Sequence, residues 1–209
     1  MGPTGIVVGS DRSSTAIEAA RTRARERALD NVTFQECDPA TAVFDQPFDA
    51  IVGRYVLMFS PDPSAMLRGV AKHLRPGGII AFHEVDWLGA TSVPPAPTYD
   101  NCMRCIVETF QKAGTNPNMG LKLHSAFIMA GLPVPVMALS ALAGGSDISS
   151  GIDLVANLAA TMAPVMEQMG VISVSELDPD TLQERIRAEV IHNQSVVVGR
   201  YEIGAWARV

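Results

Sequence analysis

The chain is poor in cysteine, in basic charge and in aromatic residues, and each shortage closes off a class of function. Three cysteines among 209 residues cannot all pair with one another, so a disulfide framework is not expected and a reducing, cytoplasmic setting is. Sixteen Lys and Arg stand against 22 Asp and Glu, a formal net charge of −6, and with aromatics at 6% no basic cluster alternates with rings. A phosphate-tracking surface is therefore not expected, and nucleic acid is set aside as a partner. The opening Met1-Gly2-Pro3-Thr4-Gly5 offers neither a cationic stretch nor an apolar one, which speaks against a secretory leader. Long uncharged runs are equally scarce. The one candidate, Phe127 to Ser146, is interrupted by Gly131, Pro133, Pro135, Gly144 and Gly145; it reads as a helix end plus a buried strand, and no membrane partner is expected.

What the chain does have is apolar content. At 47% apolar, 18% charged and a mean hydropathy of +0.18 it can bury enough surface to offset its ordering entropy. Its length suits a single domain with an appendage. Gly5 to Asp11 reads as a strand, and 14–29 as an amphipathic helix with capping-box spacing at Thr15 and Glu18. Arginines 21, 23, 25 and 27 alternate along that helix and so spread around it, the mark of a solvated face rather than a phosphate site. Val32 to Cys37 is a second strand and Phe48 to Gly53 a third. Pro63 opens the next helix at its first position. That helix stops at Arg75-Pro76-Gly77-Gly78, and Ile79 to His83 is a fourth strand. Such alternation predicts an α/β fold, Rossmann-like, with an open, mainly parallel sheet covered by helices on both faces. The second half reads as a Pro-rich loop at 88–97, helices at 98–113 and 120–130, and a strand near Val134 to Leu142. A Gly/Ser loop, helices from Ile152 to Met169 and from Pro179, and a β-like tail from Val196 follow. Residues 1–97 are expected to form a ligand-binding core, with 98–209 supplying cap helices and terminal strands to the same domain.

In open parallel sheets ligands bind beyond the carboxyl ends of the strands. Those ends carry Asp11, then Asp38-Pro39, then Arg54-Tyr55, then His83-Glu84-Val85-Asp86. A carboxylate at a strand end can accept from both hydroxyls of a ribose, and one on the neighbouring strand can take the exocyclic amine of adenine. Asp11 and Asp38, 27 residues apart, therefore point to an adenosine-containing ligand.

The ordered phrases Gly-Pro-Thr-Gly-x-Val-Val-Gly-x-Asp at 2–11, Asp30-Asn31-Val32-x-Phe34 through Asp38, Phe48-Asp49-Ala50-Ile51-Val52-Gly53-Arg54 and Leu74-Arg75-Pro76-Gly77-Gly78 resemble the small-molecule type of class I S-adenosylmethionine-dependent methyltransferases. The resemblance covers residues 2–86 and is architectural beyond 98. It implies S-adenosyl-L-methionine as cofactor, with Asp11 and Arg12 at the ribose, Asp38 and Pro39 at the adenine, and Arg54 beside the methionine moiety. It also implies a small-molecule acceptor under a helical cap, met by Tyr55, His83 and Asp86. His83 and Asp86 are the candidates for a base, and Tyr55 for positioning.

One departure stands out. The family opens with a strand, an Asp-x-Gly-x-Gly-x-Gly loop and a helix, and none of these precedes Gly2. The absent strand is the central one in this architecture. Its loss is expected either to leave rows of backbone groups unpaired on the Asp11 strand and on the Phe48–Gly53 strand, or to force those two strands together. A start codon placed too late would account for it; a real truncation is the alternative. A non-catalytic remnant serving as a binding or homo-oligomerisation module is the competing reading, and a nicotinamide-dependent oxidoreductase a third that lacks the dinucleotide fingerprint. Cys102-x-x-Cys105 reads as two buried core residues rather than half a metal site, and no metal is expected.

Overall fold

The computed structural model describes the chain apart from Met1, Pro3, Ala40, residues 146–148 and the side chains of Ser149 and Ser150; the Gly/Ser loop expected there lies partly outside the described residues. β1 (Val7–Asp11) and β2 (Val32–Glu36) pair in parallel, from Val7 opposite Val32 to Asp11 opposite Glu36. Their crossover is α1 (Ser14–Glu26). Ser13, in an extended conformation, caps it by accepting from Ala16 N at 3.2 Å, so the cap lies two residues before the Thr15–Glu18 spacing. The helix ends short of 29 because Ala28 turns to a positive φ of 50°. Arg21, Arg23, Arg25 and Arg27 are all exposed.

The second sheet runs in the order β3 (Phe48–Arg54), β4 (Leu74–Asp86), β9 (Tyr201–Arg208), β6 (Val136–Ser140). β3 and β4 are parallel, whereas β9 is antiparallel to both β4 and β6. The parallel reading thus holds for the first four strands, and the C-terminal strand makes the sheet mixed. α2 (Pro63–Ala71) connects β3 to β4. Asp62 caps it by accepting from Ala65 N at 2.9 Å, and Pro63 takes the first position, where no hydrogen bond is lost. A third, small sheet joins β5 (Thr91–Val93), β8 (Val196–Val198) and β7 (Ala143–Gly144), so the β-like tail divides between two sheets. α4 (Met119–Met129) lies on β4 and β9, while α3 (Pro97–Lys112), α5 (Ser149–Gln168) and α7 (Pro179–His192) pack on one another. The short α6 (Val174–Leu177), which sequence patterning overlooks, has a full capping box between Ser173 and Glu176.

Alternation on β4 and β9 decides which face is core. Ile80, Phe82, Glu84 and Asp86 point one way with Ile203, Ala205 and Ala207, and all are buried. β1 and β3 do not pair; they stand in separate sheets, each with one edge lacking a strand neighbour among the described residues. Of the two outcomes expected for these strands, the first is observed, but without the anticipated burial. Asp49, Ala50, Val52 and Arg54 of β3 are exposed, so water reaches that edge. Among the described residues no helix is long and apolar enough to cross a membrane.

Candidate functional site

Two groups of strand ends form the site. At the first, Cys37 N donates to Asp11 O at 3.0 Å, which locks the end of β1 to the residue preceding Asp38. Asp11 and Asp38 therefore share one rim, with Arg12 exposed and Pro39 half-buried beside them. Asp11 Oδ1 accepts from Ser13 N at 2.8 Å and so helps to open α1. Its Oδ2 has no hydrogen bond among the described residues and can accept from a ligand hydroxyl. Asp38 O accepts from Thr41 N and Ala42 N, folding the chain back after β2. This donor and acceptor chemistry fits the nucleoside end of S-adenosylmethionine.

The second group gathers at the ends of β3 and β4. Tyr55, immediately after β3, has a φ of 54°, a left-handed conformation that costs a non-glycine residue about 1 kcal/mol or more. Its ring lies between two cations: Arg54 Cζ is 4.6 Å from the ring centroid and Arg200 Cζ 5.3 Å. The hydroxyl donates to Glu202 Oε2 at 2.7 Å and accepts from Arg54 Nη2 at 3.0 Å and Arg200 Nη2 at 3.2 Å. Those contacts raise the Arg54 pKa, the bond to Tyr55 contributing most. His83, opposite Arg54 in the register, reaches Glu202 Oε2 through Nε2 at 3.2 Å. Arg54, Tyr55 and His83 are thus brought together, joined by two residues from β9 and its approach that no local motif announces.

Asp86 is placed apart from them. It lies on the core face of β4, fully buried, with Oδ1 accepting from Leu88 N at 3.0 Å and Oδ2 from Leu121 N at 3.4 Å. Glu84, placed by the sequence among the strand-end residues without a role, lies on the same face. Its buried carboxylate accepts from Val56 N at 2.9 Å, Leu57 N at 2.7 Å and Met58 N at 3.3 Å, clamping the 3-10 turn (Leu57–Phe59) that follows Tyr55. Burial pushes the Glu84 carboxyl up, and the three N–H donors pull it back in part. Trp87 is 3% exposed, and its indole N–H has no hydrogen-bond partner among the described residues. Cys102 and Cys105 are buried in the core, and burial lifts the Cys102 thiol to about 12, far from the range of a reactive thiolate.

Residues 1–122 match the family described as methyltransferase domain. Over 100 residues the chain is 31% identical to the demethylmenaquinone methyltransferase of Lactococcus lactis subsp. lactis, covering 47% of this chain and 37% of that one. Over 83 residues it is 39% identical to the aklanonic acid methyltransferase DauC of a Streptomyces species, covering 39% and 38%. The matched part therefore spans less than two-fifths of the length of these curated relatives. A Bacillus halodurans protein assigned to the methyltransferases has the same α/β fold, with a TM-score of 0.58 at 14% identity over 96% of this chain and 81% of its own. The family match covers more than half of the 209 residues and takes in Asp11, Asp38, Arg54, Tyr55 and His83, though not Arg200 or Glu202, and the chain belongs to the methyltransferase domain family.

Proposed function

We propose that the chain binds S-adenosylmethionine and carries methyl transfer to a small-molecule acceptor. Asp11 and Arg12 take the ribose, Asp38 and Pro39 flank the adenine, and Arg54 lines the methionine end. Residues 1–97 act as the cofactor core and 98–209 as cap and sheet completion. The cofactor, when bound, supplies a methyl group already activated by a positive sulfonium, so the chain's task is alignment and exclusion of water. Tyr55, fixed by three hydrogen bonds and two cation–ring contacts, positions the acceptor. His83, whose Nε2 lies 3.2 Å from Glu202 Oε2, is the candidate base toward the acceptor. Asp86 serves by position: its two oxygens hold the backbone of Leu88, after the strand, and of Leu121, in the first turn of α4. Three cysteines, which cannot all pair with one another, and a net charge of −6 support a cytoplasmic setting without nucleic-acid partners. Exposed Val52, Val136 and Trp206 on one sheet face support a homo-oligomer.

The observation that carries this reading is the Cys37-to-Asp11 bond that holds both acidic strand ends on one rim. Calorimetry with S-adenosylhomocysteine tests it. Saturable 1:1 binding is expected, weakened about tenfold by Asp11→Asn through loss of one charge-assisted hydrogen bond. Absence of heat at about 1 mM ligand overturns the reading.

A further inference from the structure

Tyr55 stands where glycine would be the easier residue. Its φ of 54° is open to glycine at no steric cost and strained for a residue with a Cβ, so a side chain kept there points to a use for that side chain. Two neighbouring residues of β4 hold the segment. The His83 carbonyl accepts from Tyr55 N at 2.9 Å, and the Glu84 carboxylate takes the next three N–H groups, those of Val56, Leu57 and Met58. Glu84 and Leu57 are 0% exposed and Met58 4%, so water offers these donors no substitute. Where the carboxylate sits therefore decides where the turn begins, and with it the left-handed backbone of Tyr55.

The far end of the tyrosine gathers charge. Its hydroxyl joins Arg54, Arg200 and Glu202, and its ring lies 5.4 Å from that of His83, centroid to centroid. Arg54 is exposed, and that hydroxyl is its one hydrogen-bond partner among the described residues. We infer, on the methyltransferase reading with Arg54 at the methionine end, that Glu84 is a positioning residue. From inside the core it fixes the Tyr55 backbone, and through the Tyr55 hydroxyl it aims the Arg54 guanidinium at the amino-acid group of the cofactor. Glu84 itself meets no ligand. Asp11 and Asp38, which take the nucleoside, stand at the β1 and β2 ends of a separate sheet, so loosening the clamp weakens only ligands that carry the amino acid.

Calorimetry with two ligands tests this: S-adenosylhomocysteine, and methylthioadenosine, the same nucleoside thioether without the amino-acid group. Glu84→Gln sets an NH2 group against one of the three N–H donors. It should lower affinity for S-adenosylhomocysteine about fivefold or more and leave that for methylthioadenosine within about twofold. Tyr55→Phe, which keeps the clamp and removes the hydroxyl, should do the same, and the double variant should bind no more than about twofold below the weaker single one. Proton NMR reads the structural link directly. Ring-to-ring contacts between Tyr55 and His83 are expected in the parent and lost in Glu84→Gln, with unchanged signals of the buried Tyr99 reporting an intact core. Equal effects on the two ligands, additive effects of the two substitutions, or a Tyr55–His83 contact that survives Glu84→Gln overturn the inference. If Glu84→Gln does not fold, a selective Tyr55→Phe effect supports it and an unselective or silent one overturns it. A parent that binds neither ligand removes the methyltransferase reading, and the ring contact then decides alone whether Glu84 sets Tyr55.

Discussion

The β1–α1–β2 unit and the body that begins at β3 are built to the same strand, helix, strand pattern, yet they bury very different amounts of apolar surface. In the first, Ile17 and Ala24 are the buried residues among those described from 4 to 37, and neither joins the main core. An open cleft runs alongside α1 and β2, edged by Ala24, Leu29, Val32 and Phe34. In the body one continuous core runs from Leu57 to Ala207, with Leu67, Ile80, Tyr99, Phe127 and Met166 fully buried. Among the described residues no hydrogen bond or ion pair links 4–37 to 47–209. Parallel pairing and a good cap suffice to define an element, but two strands and one helix bury too little to offset their ordering entropy alone. The thin unit is therefore the region of low local stability. It also carries Asp11, with Asp38 next to it, so on the proposed function binding of a nucleoside there would be coupled to ordering that unit, whereas the proposed acceptor side is part of the body.

The largest effect that tests this contrast comes from the body. Phe127→Ala should cost about 3–5 kcal/mol and lower the urea midpoint of the whole protein, because a fully buried ring leaves a cavity in a closed core. Ile17→Ala removes the first unit's main buried side chain but should leave that global midpoint within error and raise hydrogen exchange in residues 5–37 alone. If both variants move the global midpoint together, the two regions form one cooperative unit and the contrast fails. Matched glycine substitutions sharpen the point. A Cβ on Gly53 would sit 2.3 Å from Phe82 Cε1 inside the core, and one on Gly9 would sit 2.8 Å from Phe34 Cδ1 at a half-exposed ring. Gly53→Ala should cost about 2–3 kcal/mol and Gly9→Ala less than about 1 kcal/mol, since only the second ring has room to swing. Thermal unfolding of both variants gives the comparison.

The same division governs what could be read from sequence. Strands running up to Asp11 and Arg54 follow from local signals, namely short apolar runs bounded by turn residues, and the structure has them; β2 stops at Glu36, two residues before Asp38, and β4 runs through His83 to Asp86 rather than ending at it. Glu202 escaped because antiparallel pairing of β9 with β4 brings it to His83 from more than a hundred residues away, and Arg200 comes with it. Glu84 and Trp87 were visible as residues; their roles depend on which face of β4 is core, which the helices packed on it decide. The Arg75-Pro76-Gly77-Gly78 turn was legible as punctuation and is still part of a strand. The register steps from Phe48 opposite Leu74 to Ala50 opposite Ile79, so the extra residues on β4 form a bulge that tolerates the proline.

Glu84 tests the body at its most polar buried point. Glu84→Gln keeps the shape but turns an amide toward three N–H donors, and should cost about 1–3 kcal/mol at acid pH. Burial holds the folded pKa above the ordinary 4.5, so the stability this group contributes is full below that value and is lost as pH rises through the folded one. The unfolding free-energy difference between parent and variant should therefore shrink as pH climbs from about 4 to about 7. A difference that grows instead means that the three donors outweigh desolvation and that the pKa is lowered.

The smallest expected effect probes the thin unit without touching an apolar residue. Ser13 Oγ caps α1 by accepting from Ala16 N, and its removal in Ser13→Ala should cost about 1 kcal/mol. In a cooperative domain that loss would spread over the whole unfolding transition. Here it should stay in the amides of α1 and of its neighbours β1 and β2, with roughly fivefold faster exchange and no change in the protection of Ile80, Phe127 or Ile203. S-adenosylhomocysteine, by engaging Asp11 two residues away, should restore the lost protection in proportion to its binding. Exchange that accelerates equally in the body would show that the separation of the two sheets does not persist in solution.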